Sequence, residues 1–200
     1  MIRYREPKNI AELESMFRLR HSVYAEDPHL NSMVQKQSSH DITDHDLHAL
    51  HYGAFENENP IAYIRIATTF PTHFTNWVKQ ILASNNTTIK AATSQFPFQS
   101  YYPDPNWSAD FLSNLEGRKI GEVGKLAIHK DHRKAGTVLS GLIGSFIDYC
   151  KKEQEIETGF GSCTVKLARY YRKFGFRVPK GASPFIHGKL PEAVIMQFDK

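Results

Sequence analysis

The chain is 200 residues long, with 40% hydrophobic residues, 23% charged residues and a formal net charge of +4. This suits one globular domain with a sizeable core, and no apolar run approaches the ~18–20 residues of a membrane-spanning helix. The modest basic excess, without an aromatic-basic module, gives no ground for a nucleic-acid partner. The charged N-terminus MIRYREPKN has no secretory apolar stretch, and Cys150 and Cys163 form no metal-ligand pair, so reduced thiols and a cytoplasmic location are expected.

Ile2 to Glu6 alternates apolar and polar residues and predicts a first strand. Asn9 is placed to cap a helix running to about Tyr24, with Glu12 as its capping-box partner. Ile10, Leu13, Phe17, Leu19 and Val23 lie near one face, and Asp27-Pro28 stops the helix. Residues 29 to 47 are polar and histidine-rich and predict a short helix and a loop. Leu50 to Phe55 and Ile61 to Thr68 predict an antiparallel hairpin.

Residues 70 to 118 are irregular, apart from a helix near Phe74 to Leu82, and contain the aromatic run FPFQSYYPDPNW. They read as an insertion or lid within a single domain spanning 1–200, or equally as an ordinary packed excursion. Val123 to His129 predicts a buried strand. The stripe Val138, Leu139, Leu142, Ile143, Phe146, Ile147 and Cys150 predicts a helix. Gly159 to Cys163 is a short strand, and Val165 to Phe174 a helix that Gly175 ends. Phe176 to Val178 starts another strand and Ala193 to Phe198 is the last.

The turn between the buried strand and its helix is a ready anion site. The first helical N–H groups have no partner within a helix, the helix dipole is positive there, Arg133 and Lys134 add charge, and Gly136 admits close approach. A basic surface turn with no ligand would have the same composition. The run Arg133-Lys134-Ala135-Gly136-Thr137-Val138 resembles the R/Q-x-x-G-x-G/A pyrophosphate loop of the GNAT superfamily of N-acyltransferases, with valine at the last position, and Leu126-x-Ile128 resembles its lead-in. About 35 residues on, Tyr171 to Phe176 resembles the second GNAT signature, a helix ending Y-x-x-x-G-F. The resemblance implies a three-layer α/β sandwich with a mixed, bent central sheet and helices on both faces. It also implies donor binding by Leu126, Ile128 and the residues 133–138. Tyr171 would protonate the leaving thiolate, as a positioned phenol can; as a residue alone it also fits a core aromatic.

The N-terminal half is similar to a subgroup, the acyl-homoserine-lactone (autoinducer) synthases and N-acyl amino acid synthases. Arg20 with Tyr24 four residues later, Asp41, Asp46 in Asp46-x-x-Ala49-x-His51, Arg65 on a strand and Glu122 on the central strand carry that similarity. Thr43 stands where a second acidic residue is usual, and the subgroup's tryptophan after the first helix is missing. The resemblance implies Arg20, Tyr24, Asp41, Asp46 and Arg65 as acceptor-binding or ordering residues, although structural ion pairs would use the same types. Glu122 would take the amine proton, and a backbone N–H of Leu126 or Ile128 would bind the oxyanion.

The expected activity is N-acyl transfer, with a long-chain acyl group moving from an acyl carrier protein or coenzyme A thioester to a small amine or amino acid. Acyl-coenzyme A or an acyl-phosphopantetheine thioester is thus the co-substrate, and a basic chain suits an acidic carrier protein. The alternatives are an acetyltransferase using acetyl-coenzyme A on a small amine, and a non-catalytic thioester-binding module. His40, His45, His48 and His51 interleave with Asp41, Asp44 and Asp46, but no zinc spacing is present and no metal is expected.

Overall fold

The computed structural model describes residues 1–31, 34, 38–134, 136–188 and 190–200. Among these residues, six strands form one sheet in sequence order: β1 (Ile2–Arg5), β2 (Ala49–Glu56), β3 (Asn59–Thr68), β4 (Ile120–Ile128), β5 (Thr158–Thr164) and β6 (Ala193–Asp199). All neighbours are antiparallel except β4 and β5, which run parallel. The β2–β3 turn holds Asn57 and Glu58 at φ 50° and 65°. Positive φ at both central residues matches the twist of a tight hairpin.

Among the described residues, five α-helices accompany the sheet: α1 (Ile10–Glu26), α2 (Thr75–Ser84), α3 (Pro105–Ser113), α4 (Thr137–Asp148) and α5 (Val165–Tyr171). Alternation along β2 sends its side chains to opposite faces. His51 meets Phe17 of α1 edge-on, at a ring separation of 5.3 Å, while Tyr52 meets Phe146 of α4 at 5.8 Å. The sheet is therefore the middle of three layers, as the GNAT resemblance implies.

Asn9 caps α1, its side chain accepting the Glu12 N–H at 3.0 Å. The expected capping box is only half made: the Glu12 carboxylate reaches past Asn9 to the Lys8 N–H at 2.7 Å and forks onto Arg5. An arginine on the adjoining strand outbids the cap's own backbone for that carboxylate. Phe176 to Val178 contributes a single bridge, Arg177 to Gln197, in place of the expected strand. Pro179 follows at once and has no N–H to extend a ladder.

The 70–118 stretch is more regular than its composition predicts. Besides α2 it holds a 3₁₀ turn, Pro97–Ser100, and α3, which Asp104 caps by accepting the Trp107 N–H. Its aromatic residues build a second core: Phe96, Phe98 and Phe111 surround Phe160 of β5 at ring separations of 5.1, 5.3 and 5.2 Å. Hydrophobic burial, invisible in a short irregular run, orders the segment.

Candidate active site

β4 and β5 pair from Ile120–Thr158 to Glu122–Phe160 and no further. Just beyond, Gly161 lies so close to β4 that a Cβ would stand 2.1 Å from the Val123 carbonyl oxygen. The strands then part around a pocket of about 520 Å³, walled by Val123 to Leu126 on one side and Ser162 to Thr164 on the other. A bulge bends β4 here: Arg65 pairs with Gly124 and Tyr63 with Ala127, so Lys125 and Leu126 oppose Ile64 alone. Lys125 takes φ 56° in this bend, a region few non-glycine residues occupy.

Glu122 faces the pocket from the last paired position and is buried. Burial pushes its pKa up to about 7; the Phe98 N–H on Oε2 at 2.9 Å, the Tyr101 hydroxyl on Oε1 at 3.1 Å and the Arg65 charge oppose that rise. A carboxyl with this value is half ionised near neutral pH and suits general base work. Tyr171 lines the same pocket, and burial raises its phenol well above the usual range, so it stays a proton donor at neutral pH.

Arg20, Asp41, Asp46 and Arg65, distant in sequence, meet in one buried cluster. Arg20 forks onto Asp46 at 2.9 and 2.8 Å, and its Nε lies 2.8 Å from Asp41 Oδ2. Arg65 pairs with Asp46 and donates to Thr43 Oγ1 at 3.0 Å. Burial alone would raise the Asp46 pKa; the Arg20 and Arg65 guanidiniums outweigh it and hold the carboxylate well below its usual range. Asp41 is likewise held low, against its burial, by Arg20 and Lys125. Of the predicted acceptor residues, Tyr24 and Arg65 line the pocket, whereas Arg20, Asp41 and Asp46 stand behind its wall. The Tyr24 hydroxyl donates to the Leu126 carbonyl at 3.4 Å, tying α1 to the bulge.

The predicted donor residues divide. Leu126 lines the pocket, while Ile128 and the described part of 133–138 lie outside it. Ala135 falls outside the described residues. Arg133 and Lys134 are exposed, and Arg133 Nε donates to the Ile128 carbonyl at 2.8 Å, folding the turn back onto the end of β4. Gly136, at φ 64°, is the N-cap of α4, and Ser140 N–H bonds its carbonyl at 3.0 Å. Thr137 begins the helix. The side chain of Val138 is buried in the main core. The valine in place of glycine or alanine at that position packs against the core.

Several residues of the site were not singled out from the sequence. Lys125 is partly buried and donates to Asp41 Oδ2 at 2.9 Å. A lysine three residues after Glu122 on a strand with no other charged residue was the available signal. Tyr63 accepts from Arg20 at 2.9 Å and exchanges a hydrogen bond with His51 Nδ1 at 2.8 Å. Burial lowers the His51 pKa to about 3, so the imidazole is neutral. Tyr101 and Ser162 carried no signal, because the contact that joins them spans 61 residues of chain. Among the described residues, no group of three or more His, Cys, Asp or Glu is placed to hold a metal ion, and no helix is long and apolar enough to cross a membrane.

Neither a protein-family model nor a curated protein matches the sequence. Solved structures match along the whole chain. FeeM, an N-acyl amino acid synthase from uncultured soil microbes, superposes with a TM-score of 0.60 at 15% identity, covering 100% of this chain and 91% of that one. The CoA-dependent acyl-homoserine lactone synthase BjaI, with SAM and isopentyl-CoA, gives 0.61 at 16% identity, covering 100% and 82%. An acetyltransferase of the GNAT family from Streptococcus pneumoniae gives 0.53 at 15% identity, covering 100% and 99%. The chain has the fold of the GNAT-type N-acyltransferases, and its likeness extends to the autoinducer and N-acyl amino acid synthases among them.

Proposed function

We propose that the protein is an N-acyltransferase that moves an acyl group from a coenzyme A or acyl-carrier-protein thioester to a small amine or amino acid. The observation that carries this reading is Glu122: a buried carboxyl, half ionised near neutral pH, facing a pocket at the point where β4 and β5 part. In the reaction, the amine nitrogen attacks the thioester carbon and gives its proton to the Glu122 carboxylate. A backbone N–H of the bent strand near Leu126 stabilises the oxyanion. The carbon–sulfur bond then breaks, and Tyr171 gives its phenol proton to the leaving thiolate.

Pantetheine would lie along β4, with its phosphates on the turn from Arg133 to Gly136. Arg65 and Lys125, which line the pocket, would hold the polar end of the acceptor, with Arg20, Asp41 and Asp46 fixing them from behind. An acyl chain longer than acetyl fits the apolar side of the pocket, which includes Leu30, Leu167, Phe185 and Leu190. The test is calorimetric titration with coenzyme A and with acylated carrier protein, followed by turnover across acyl lengths on a panel of amino acids. Binding and turnover of one donor class support the reading. Preference for acetyl-coenzyme A would assign an ordinary acetyltransferase, and donor binding without turnover a thioester-binding module.

A further inference from the structure

We propose that Tyr101 and Ser162 are positioning residues for Glu122: a chain of two hydroxyls that fixes the carboxylate toward the pocket and keeps a hydrogen-bond donor on it. The catalytic consequence rests on the acyltransferase reading, while the clamp itself rests on geometry. The Tyr101 hydroxyl lies 3.1 Å from Glu122 Oε1 and 2.8 Å from Ser162 Oγ. A phenol has one proton. When Tyr101 donates to the carboxylate, Ser162 must donate to Tyr101, and the chain runs from Ser162 through Tyr101 to Glu122. Oε2 is held by the Phe98 N–H at 2.9 Å. Both carboxylate oxygens are thus held by one short piece of the 70–118 segment.

That piece is anchored. Phe98 is fully buried against Phe111 and Phe160, and the Tyr101 ring stacks on Phe185 at 6.0 Å and 24° with His187 beside it at 5.5 Å. Ser162 sits on β5 two residues beyond the last pair between the two strands, Glu122–Phe160. Tyr101, Ser162 and Glu122 all line the pocket, so the chain ends where the reacting amine would be. When Glu122 takes a proton, its hydroxyl can donate to Tyr101 and Tyr101 to Ser162. Both protonation states are then satisfied without moving a heavy atom, which is what a repeatedly titrating base needs.

Besides Glu122 and Tyr101, the ionisable groups that line the pocket are Tyr24 from α1, Asp27 and His29 just after it, Arg65 from β3, Lys125 from β4, Cys163 from β5, Tyr171 from α5 and His187 from the loop before β6. The two donors and the Arg65 charge are what hold the Glu122 carboxyl down against its burial. Loss of the phenol donor therefore lifts the midpoint of Glu122 further, and the rate at neutral pH falls with it.

The experiment is a ¹³C NMR titration of the Glu122 carboxyl, assigned with Glu122→Gln, in the wild type, Tyr101→Phe, Ser162→Ala and Ser162→Thr. It is paired with the pH dependence of kcat for the donor found above. In Tyr101→Phe, which keeps the ring on Phe185, the midpoint should move up by about one pH unit, the scale of a hydrogen bond to a charged group. The acid limb of kcat should follow it, with the rate regained at higher pH and donor Kd unchanged. Ser162→Ala should move the midpoint the same way by less, and Ser162→Thr, which keeps the hydroxyl, should leave it in place. An unmoved midpoint in a folded Tyr101→Phe protein overturns the clamp. If no thioester turns over, the NMR midpoints still decide the clamp while the acyltransferase reading fails on its own.

Discussion

Arg20 and Asp46 meet fork to fork inside the protein, Nη1 on Oδ1 at 2.9 Å and Nη2 on Oδ2 at 2.8 Å, and neither has exposed surface. The pair joins α1 to the 3₁₀ turn that precedes β2. Asp46 also accepts the Thr43 N–H at 2.7 Å and pairs with Arg65, so one carboxylate organises two arginines and a turn. With Asp41 and Lys125 included, two carboxylates face three cations. Two of these cations, Arg65 and Lys125, line the pocket, where Glu122 also lies.

Removing the Asp46 charge should therefore be costly. Asp46→Asn leaves two buried guanidiniums short of a partner, and a broken buried pair costs about 3–5 kcal/mol. Urea unfolding at pH 7 measures it. The same carboxylates set an acid limit. Asp46 and Asp41 are held below their ordinary value of 3.8, so their contribution is complete above that pH and is lost as pH falls through the lower folded values. The wild type should lose stability steeply below about pH 4, and Asp46→Asn less steeply.

Glu122 works in the opposite sense. Its folded pKa of about 7 lies above the 4.5 of an ordinary glutamate, so the folded protein holds this proton longer than the unfolded chain does. The resulting stability is full below pH 4.5 and is lost as pH rises through 7. Relative to Glu122→Gln, the wild type should therefore weaken by on the order of 1–3 kcal/mol between pH 4 and pH 8. Denaturation at the two pH values checks this, and a flat difference would show that Glu122 titrates normally. Glu122→Gln should also lower kcat by about 10²-fold or more, the scale of a general base.

Tyr171→Phe separates chemistry from packing. The ring remains in its pocket beside Phe176, at a ring separation of 4.9 Å, and only the hydroxyl is lost. If the phenol protonates the thiolate, kcat should fall by about 10²-fold with donor Kd unchanged. An unaltered kcat would leave Tyr171 as a wall of the pocket.

The layered fold was legible because its signals are local. Alternation marked β1, two strand-like runs in succession marked the β2–β3 hairpin, the Asn9 cap marked α1, and the Gly136 turn with its apolar stripe marked α4. The sequence singled out Arg20, Asp41, Asp46 and Arg65 only through a spacing similar to that of the autoinducer synthases, and the fold brings them together in one buried cluster. What stayed hidden depended on contacts without sequence periodicity. The second core forms because Phe96, Phe98 and Phe111 pack on Phe160 of β5, and nothing in FPFQSYYPDPNW announces that partner. The bulge at Lys125 was equally silent, since a lysine at φ 56° shows no glycine or asparagine to betray the bend.

Arg133 gives a test of the donor site that leaves the pocket intact. Its side chain is exposed, and its one tie to the protein described above is the bond to the Ile128 carbonyl. Arg133→Ala should leave the melting temperature nearly unchanged and weaken coenzyme A binding by about 1–3 kcal/mol, the range for charged hydrogen bonds. Calorimetry measures it, and an unaltered affinity would move the phosphates off this turn.

Gly161 tests the parting of the strands. A methyl group there would stand 2.1 Å from the Val123 carbonyl oxygen, a backbone atom that cannot swing aside. Gly161→Ala must therefore push β4 and β5 apart one residue beyond the Glu122–Phe160 pair. Overpacking of this kind costs about 1–3 kcal/mol. Because Glu122 and Ser162 flank the displaced point, catalysis should suffer as well, and a misplacement of about 1 Å is worth as much as 10²-fold in rate. Gly144→Ala in α4 is the control. Its methyl would meet Phe174 at an ordinary 3.5 Å, and alanine favours a helix over glycine by about 1 kcal/mol. Chemical unfolding should rank Gly144→Ala at or above the wild type and Gly161→Ala below it, with turnover lost only in the latter. Equal turnover in the two variants would mean that the spacing of β4 and β5 at Gly161 does not govern the position of Glu122.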